Sequence, residues 1–340
     1  MKGLGIFDKI MFVVNSLVAF LLLLSYVLPF IPPKTFATLS VLSLVVPLLL
    51  ILNILFAVFW LLKVKKQLLL SLVVLLLGYG YIGSLYKFSS TKDVSDKDNF
   101  TVMSFNVRLF NFYEWLPSKT IKEDIIALFE SEQPDILSIQ EYRQGGRIEL
   151  KGYYDYNSKY SGVIRGGQTI FSKFPIINSG SLEFPNTNNN GIFIDVKIKQ
   201  DTVRVYNIHL QSSGINTEVD ALRKETSENL LKRLGTTFKA QQEQVELINA
   251  HRAKCPYKVI VTGDFNNTAY SYVYNSLKDD LVDTFEEAGN GFGKTFGFKF
   301  FPLRIDFILA DKSFEINNYK SYDKKLSDHF PIKTTLKLNH

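Results

Sequence analysis

Cysteine is nearly absent from this sequence, which has one cysteine, Cys255, in 340 residues. A lone thiol excludes an internal disulfide framework and a cysteine zinc cluster. It leaves the redox compartment open, because a single thiol persists in oxidising and in reducing surroundings.

Negative charge is nearly absent from the first ninety residues. Residues 1–90 contain seven lysines and a single acid, Asp8, whereas the rest of the chain contains 32 bases and 32 acids. The basic pI of about 9.0 therefore belongs to the first part. The second part lacks the charge excess that drives non-specific binding to nucleic acid, although a neutral domain can still hold a basic groove.

Three long apolar runs occupy this first part, at residues 10–30, 36–62 and 68–85. As helices, the first and third would be about 31 Å and 27 Å long, close to the ~30 Å of a bilayer's hydrocarbon layer. The runs have no polar face, and the first is too long for a signal peptide and lacks a small-residue cleavage site. We expect three membrane spans, the second tilted or kinked at Pro47.

Lysines predict the orientation of these spans. Two lysines precede the first run, three separate the second from the third, and only Lys34 lies between the first and second. The positive-inside rule then places the N-terminus in the cytoplasm and everything after Tyr86 on the outer side. We expect an integral protein of a bacterial inner (plasma) membrane. No acid or base lies deep in a span, which argues against a transporter.

Residues 91–98 read as a polar linker, and residues 99–340 as a separate soluble domain. Strand-like and helical patterns are interleaved there, with a hairpin as well as crossovers, which predicts an α/β sandwich with helices outside. The expected strands are 100–107, 135–140, 153–160, 168–172, 191–199, 202–210, 258–264, 304–309 and 332–338, and the expected helices are 118–132 and 218–254, the latter with a possible break at Gly235.

The stretch KVIVTGDFN, residues 258–266, is the most informative part of this domain. A buried strand runs into Gly263, and Asp264 and Asn266 follow at once. Ligands bind at the carboxyl ends of strands in layered α/β folds, so this is a natural place for an active site. Taken alone, the same residues could form a simple Asx turn.

Other polar residues share this position at or just beyond the end of an expected strand. Singly, each has a structural explanation, such as a solvated carboxylate or a histidine at a sheet edge. Asp306 is harder to explain in this way, because it lies within an apolar run and a buried carboxylate needs a partner. Together they indicate one site. The set is Asn106, Glu141, His209, Asp264, Asn266, Asp306, Asp328 and His329.

The motifs that contain these residues resemble those of the endonuclease/exonuclease/phosphatase superfamily. They are, in order, SFNVR, IQE, NIHL, GDFN, RIDFIL and SDHFP, and the resemblance covers residues 99–338. It implies a four-layered α/β/β/α sandwich and a divalent-cation-dependent phosphodiesterase or phosphatase. It does not extend to residues 1–90.

The resemblance also implies metal ligands. Mg²⁺ prefers hard oxygen ligands and needs only one or two protein carboxylates. Glu141 is the first choice, with Asn106 offering an amide oxygen and Asp328 binding directly or through water. Mn²⁺ and Ca²⁺ are alternatives.

The remaining residues take catalytic roles by the same resemblance. His329 would contact the phosphate and transfer protons, with Asp306 fixing its tautomer. Asp264 would position or deprotonate the attacking water, and Asn266 would bind a phosphate oxygen. His209 would bind the phosphate or act as the second acid–base group. Which histidine is the acid and which the base stays open.

Two features depart from the pattern or extend it. In some relatives a carboxylate near this point of the sequence supports the histidine that corresponds to His209. Gln168 and Thr169 occupy that place here, so we do not expect His209 to have a carboxylate partner from this strand. Phe296, Phe298 and Phe300 alternate in residues 291–301. This alternation is typical of a strand with one buried face, and alternatively of an aromatic edge that touches lipid.

The sequence thus favours a membrane-anchored phosphoesterase with the lipid bilayer as a partner. Anchoring raises the local concentration of a substrate in the same membrane, which favours a lipid headgroup phosphoester. One alternative is an anchored nuclease with a basic groove lined by Arg108, Arg143, Arg147 and Arg165. Another is a non-catalytic membrane binding protein with a degenerate site.

Overall fold

The computed structural model describes residues 4–89, 92, 94–142, 147–157, 167–214 and 226–338. The strands are β1 Tyr86–Lys87, β2 Asn99–Asn106, β3 Ile136–Tyr142, β4 Tyr154–Asn157, β5 Gly167–Ser172, β6 Ile176–Ser181, β7 Asn190–Ile198, β8 Asp201–His209, β9 Lys258–Asp264, β10 Val282–Asp283, β11 Gly291–Phe292, β12 Asp306–Ala310, β13 Phe314–Ser321 and β14 Ile332–Leu338. The helices are α1 Ile6–Ser25, α2 Ala37–Ser40, α3 Val46–Leu62, α4 Leu68–Leu77, α5 Tyr79–Leu85, α6 Ile121–Glu132, α7 Ser227–Arg252, α8 Tyr272–Lys278 and α9 Thr284–Ala288, with 3-10 turns at Leu28–Phe30, Val41–Val45 and Arg108–Asn111.

These strands form two six-stranded sheets and a small pair. One sheet has the order β10-β12-β9-β8-β7-β6, the other β13-β14-β2-β3-β5-β4, and β1 pairs with β11. Each large sheet contains one parallel pair, β8 with β9 and β2 with β3, among antiparallel neighbours. The prediction of mixed α/β sheets is confirmed.

Alternating side chains along the strands create three apolar layers. In β2, Val102 packs between the two sheets, whereas Phe105 packs on the outer face under α6. In β9, Ile260 packs between the sheets and Val261 packs under α7. Since successive residues of a strand point to opposite faces, one apolar strand serves two layers. The order across the domain is helix, sheet, sheet, helix.

The N-terminal region contains two helical stretches, Ile6–Phe30 and Ala37–Leu62, that are long and apolar enough to cross a membrane. The third apolar run is different, because α4 and α5 meet at Gly78 with a bend of 78°. A Cβ at Gly78 would lie 2.0 Å from the Tyr26 hydroxyl, so only glycine fits there. Of the three expected spans, two are single helices of sufficient length and apolarity, and the third run is a bent pair.

Buried polar side chains tie these helices together. The Asn15 side chain of α1 donates to Ser71 of α4 at 2.6 Å and accepts from Trp60 of α3 at 2.9 Å. Trp60 is fully buried. Such hydrogen bonds between apolar helices fix their rotation relative to one another.

The same helices pack directly on the domain formed by residues 99–338. Asn275 donates to the carbonyl oxygen of Pro29 at 3.2 Å, and the Tyr270 hydroxyl donates to the carbonyl oxygen of Tyr81 at 3.2 Å. Gly235 of α7 lies so close to α2 that a Cβ there would be 3.1 Å from the Cβ of Ala37. The expected break at Gly235 is wrong, since α7 runs through it; this glycine provides a close helix crossing instead.

Three further expectations need correction or completion. Residues 295–301 form no strand; Phe296 makes only isolated bridges to Leu303 and His329. Strands β6 and β13 were not expected, because their polar residues hide the alternation. The predicted helix over 118–132 begins only at Ile121. Parts of the expected 153–160 strand and 218–254 helix lie outside the described residues.

A buried ion pair fastens the edge of the β9-containing sheet. The Arg304 guanidinium contacts the Asp283 carboxylate at 2.5 Å, and both side chains are at most 5% exposed. Arg304 also stacks between the rings of Phe285 and Phe307, each about 4.7 Å away. Removing one partner of such a pair leaves an uncompensated buried charge.

We therefore expect Arg304→Met to lower the free energy of unfolding by about 3–5 kcal/mol, because Asp283 stays buried without its cation. Denaturant unfolding of the detergent-solubilised chain measures this loss. The control is Lys199→Met, which breaks an exposed pair with Asp98 and should cost less than about 1 kcal/mol. If the two variants lost equal amounts of unfolding free energy, the larger stabilisation expected from the buried pair would be contradicted.

Candidate active site

Strand geometry collects four of the expected residues in the space between the two sheets. His209 continues the row of Val203 and Val205 that packs between the sheets, and Asp264 continues the row of Ile260. By the same two-residue period, Asn106 and Asp306 face the space between the sheets. All four are buried. The apolar filling between the sheets therefore ends in a polar layer.

Glu141 reaches this layer by a backbone irregularity. Its position in β3 would point it outward with Leu137 and Ile139. The register between β3 and β5 shifts after Ile139, and Glu141 has a φ of 50°. Such a bulge re-aims a side chain. As a result, Glu141 Oε1 accepts a hydrogen bond from Asn106 at 3.2 Å.

A histidine–carboxylate chain forms the centre of the site. His329 Nδ1 lies 2.9 Å from Asp306 Oδ2, and His329 Nε2 lies 3.6 Å from Asp264 Oδ2. His209 Nε2 is also 3.6 Å from Asp264 Oδ2, and 3.9 Å from Glu141 Oε1. One oxygen of Asp264 thus faces both imidazoles.

This arrangement separates the protonation states of the groups. Burial lowers the pKa of His329, but the carboxylates of Asp306 and Asp264 outweigh it and hold that pKa well above 6.5. His209, without such a close partner, has a pKa lowered by burial. Burial also raises the pKa of Asp264 to about 6, and it raises the pKa of Glu141. At neutral pH the site contains one imidazolium and one neutral imidazole.

Short hydrogen bonds orient Asp264. Its Oδ1 accepts from the backbone N–H of Asn266 at 2.8 Å, and its Oδ2 accepts from Asn106 at 3.0 Å. Gly263 precedes it with a φ of 133°, and a Cβ there would overlap the carbonyl oxygen of Ile208 at 1.9 Å. The glycine in GDFN is thus required by the close approach of β8 and β9.

Two amides are used differently from the expectation. Asn106 directs its nitrogen at the carboxylates, while its oxygen accepts from the backbone N–H of Arg108 at 3.0 Å. In this conformer it orients Glu141 and Asp264 instead of offering an oxygen to a metal. The Asn266 side chain donates to the Leu210 carbonyl oxygen at 3.0 Å and to Asp264 at 3.2 Å. Both amides therefore act first as supports.

Arg108 is a site residue that the strand-end argument did not single out. Its guanidinium is 3.1 Å from Asp328 Oδ2. Four consecutive residues, Arg108–Asn111, have φ between 43° and 58°, a left-handed turn that costs about 1–2 kcal/mol per residue. Strain of this kind marks functional sites. The available signal was its position two residues after Asn106 in SFNVR.

The site fits a divalent cation. Four carboxylates meet there, and their positive partners among the described residues are Arg108 and His329. The buried Nε2 of His209 accepts no hydrogen bond and donates none within the described chain. Asp264, Asp306 and His329 offer ligand atoms within 4.8 Å of one another, so this group could hold a metal if His329 gave up its proton. Unbalanced negative charge and oxygen donors suit Mg²⁺, Mn²⁺ or Ca²⁺.

The eight expected residues thus converge on one layer at the end of the two sheets. Gln168, expected to weaken the support of His209, donates instead to the Asn207 carbonyl oxygen at 2.9 Å, one layer deeper. Of the four arginines of the nuclease hypothesis, Arg108 reaches the site, Arg147 lies near Asp155, and Arg143 and Arg165 lie outside the described residues.

We expect Asp306→Asn to lower the pKa of His329 in the metal-free protein, because burial then acts against a weaker negative field. Histidine-selective NMR titration measures this pKa, and His329→Gln assigns its signal. In the wild type the imidazolium should persist above pH 6.5. The control is Asp135→Asn, a carboxylate at the opposite end of β3. An unchanged titration of His329 in Asp306→Asn would overturn the proposed pairing.

The chain was compared with protein families, with curated proteins and with solved structures. Residues 8–85 match a domain of unknown function (DUF8431). No curated protein matches the chain. Among solved structures, similar folds include an endonuclease/exonuclease/phosphatase from Bacteroides vulgatus (18% identity, TM-score 0.56, 71% of this chain and 99% of that chain) and a mannosyl-6-phosphatase from Bacteroides thetaiotaomicron VPI-5482 (21%, 0.54, 70% and 99%). A humanized D. rerio TDP2 with 14 mutations is also similar (16%, 0.55, 71% and 100%).

These structural likenesses concern the fold alone. The family match is more specific, because the endonuclease/exonuclease/phosphatase family matches residues 103–329, a range that contains all eight residues of the site. Since this match covers more than half of the sequence, the chain belongs to the endonuclease/exonuclease/phosphatase family.

Proposed function

We propose that this chain is a membrane-anchored, divalent-metal-dependent phosphoesterase that hydrolyses a phosphoester of a lipid headgroup. One observation carries the proposal: the loop that follows Asp264 and Asn266 packs on the apolar helices. The Thr268 hydroxyl donates to the carbonyl oxygen of Ser43 at 2.8 Å, and Ser43 donates to Asn267 at 3.3 Å. The catalytic layer thus lies beside the helices that would enter the membrane.

The side chains supply the proton transfers that phosphoester hydrolysis needs. His329, held protonated by Asp306, contacts the phosphate and donates a proton to the leaving oxygen. Asp264, with a pKa of about 6, positions the attacking water and accepts its proton. His209 is neutral and faces the same carboxylate, so it binds the phosphate or returns a proton. Asn266 keeps Asp264 in place, because its side-chain amide donates to Asp264 and to the Leu210 carbonyl oxygen.

Glu141 is the first choice to hold the metal, and Asp328 binds it directly or through water. Asn106 supports Glu141 and Asp264 from between the sheets. When bound, Mg²⁺ (or Mn²⁺ or Ca²⁺) neutralises a non-bridging phosphate oxygen and stabilises the leaving group. Arg108 neutralises Asp328 and adds a positive charge at the edge of the site.

Contacts among the helices support an outward-facing catalytic domain. Lys63, after α3, pairs with Asp8 near the start of α1, whereas Leu85, at the end of the bent pair, belongs to the same apolar cluster as Tyr270 of the catalytic domain. The third apolar run therefore leads from one end of the helices to the other, although α4 alone is only about 15 Å long. With the N-terminus in the cytoplasm, an inner-membrane protein would place its catalytic domain on the periplasmic side.

A reporter fused after Tyr86 tests this topology. We expect alkaline phosphatase there to be active and a cytoplasm-dependent fluorescent protein to be dark, because three passages place the junction outside. The matched control is the same pair of reporters fused after Lys66, where the outcome should reverse. Identical outcomes at the two positions would show that the bent pair turns back without crossing.

Nuclease activity is the second candidate. The supporting observations are Arg108 at the site and the fold shared with a D. rerio TDP2 that was solved with single-stranded DNA (18% identity, TM-score 0.53, 71% of this chain and 100% of that chain). The neutral charge balance of residues 91–340 argues against it.

A substrate panel distinguishes these functions. The full chain in detergent or vesicles is assayed with Mg²⁺ on phospholipids, sphingolipids, inositol phosphates, mannose 6-phosphate and plasmid DNA. We expect turnover of a lipid phosphoester, its loss with chelator, its return with Mg²⁺, and a fall of about 10²–10⁴-fold in kcat for His329→Gln. Glu141→Gln should lower the affinity for the metal.

The matched control is Glu149→Gln, an exposed carboxylate outside the site that should leave turnover unchanged. DNA cleavage without lipid turnover would replace the lipid substrate by a nucleic acid. Absence of turnover on every substrate, in the wild type and in Glu141→Gln alike, would favour a non-catalytic binding protein.

A further inference from the structure

The mouth of the site is bordered on one side by an exposed aromatic turn. Its residues are Phe112, Tyr113 and Trp115, which are 47%, 56% and 43% exposed. Their rings contact one another edge to face, with centroids 5.0 Å and 5.1 Å apart. We call this segment the aromatic turn. Exposed aromatic clusters of this kind mark interaction surfaces.

This aromatic turn is rigidly built and connected to the site. The Asn111 side chain donates to the Leu116 carbonyl oxygen at 2.9 Å and accepts from the Leu116 N–H at 2.8 Å, which closes the turn. The Arg108 guanidinium lies 4.3 Å from the centre of the Trp115 ring while it pairs with Asp328. Trp115 is therefore one side chain away from the proposed metal ligand.

A second aromatic segment borders the same carboxylate. The Gly297 N–H donates to the carbonyl oxygen of Asp328 at 2.7 Å, and the chain continues into Phe298, Phe300 and Phe301. Their rings are in contact at 4.9 Å and 5.2 Å, and Phe300 is 59% exposed. We call this segment the phenylalanine loop. Lys299, also exposed, lies between two of its rings in sequence.

The apolar helices border the mouth on a third side. Ser43, just before α3, bonds to Asn267 and Thr268, immediately beyond Asn266. Across the described part of the catalytic domain, the Phe and Trp side chains that are more than a third exposed are Phe112, Trp115, Phe292 and Phe300. Phe292 lies against Tyr86 at the end of the helices. Exposed phenylalanine and tryptophan surface is thus concentrated around the mouth and the helix junction, whereas the tyrosines Tyr154 and Tyr257 are exposed elsewhere.

From this distribution we propose that the mouth of the site faces the bilayer, with the aromatic turn and the phenylalanine loop resting in the interfacial region of the membrane that the helices enter. The inference rests on the proposed anchoring and specifies its geometry. Tryptophan, tyrosine and phenylalanine partition into that region, and a lysine beside them reaches lipid phosphates. A lipid phosphate would then enter the site without leaving the membrane surface.

The two tryptophans of the chain allow a direct test without any substrate. Wild type and Trp115→Phe are reconstituted in vesicles of phosphatidylcholine, plain or brominated on its acyl chains. The difference between their emissions isolates Trp115. We expect brominated lipid to quench most of the Trp115 emission, more strongly with bromine near the headgroup than near the bilayer centre.

Trp60 serves as the internal control, because it lies among the helices. Its emission, measured in Trp115→Phe, should be quenched whenever the helices are embedded. Quenching of Trp60 without quenching of Trp115, together with access of aqueous acrylamide to Trp115, would overturn the proposed orientation and leave the anchoring intact. Absence of lipid quenching for both Trp60 and Trp115 would refute the anchoring. Quenching of Trp115 by single-stranded DNA instead of lipid would assign the turn to nucleic acid.

The phenylalanine loop is tested separately with a single labelled cysteine. In a Cys255→Ser chain, Phe300→Cys is labelled with an environment-sensitive dye. The emission maximum of this label should lie at shorter wavelength in vesicles than that of the same dye in water. The matched control is Tyr257→Cys in the same background, because Tyr257 is exposed at the opposite end of β9 from Asp264. Equal spectra from the two labels would contradict a bilayer-facing mouth.

Discussion

The structure depends on compensating the negative charge of carboxylates that are buried at the end of the two sheets. Asp264 and Asp306 are nearly inaccessible, and each approaches the same imidazole of His329. An isolated buried charge is costly, so neither acid could remain there without the other groups of the layer. Burial lowers the pKa of both histidines, but Asp306 and Asp264 outweigh it at His329 and raise that pKa, whereas burial prevails at His209, so two chemically similar rings have different protonation states. Stability and catalytic readiness thus come from one set of contacts.

The apolar helices take part in this arrangement instead of only holding the domain in place. Gln241 of α7 donates to the carbonyl oxygens of Gln211 and Asn266 and accepts from Asn267, which in turn accepts from Ser43. A continuous chain of hydrogen bonds therefore joins the start of α3 to the residue that supports Asp264. The close crossing at Gly235 and the stacked rings of Tyr81 and Tyr270, 5.8 Å apart, extend the same interface.

Much of the site could be predicted because strand ends have a simple geometry. A two-residue period places Asn106, His209, Asp264 and Asp306 on the inner faces of the two sheets once the strands are identified. Glu141 follows this rule only through a bulge, whose positive φ no periodicity reveals. The left-handed turn at Arg108 and the buried pair of Arg304 and Asp283 depend on neighbours distant in sequence. The alternating phenylalanines after Gly293 have a strand-like period but lack a partner strand among the described residues, so they form a loop. The docking of α2 on α7 likewise has no local sequence signal.

The hydrogen bonds of Ser43 also bear on the order in which the protein matures. A chain is synthesised from its N-terminus, so the apolar helices exist some two hundred residues before the loop that they cover. That loop receives its last partners, at Asn267 and Thr268, from segments that are already placed. We therefore expect the helices to serve as a template, so that the site completes its geometry only on a chain whose N-terminal region has assembled. A single interface would thereby connect the proposed membrane location of this protein with the step of folding at which its site forms.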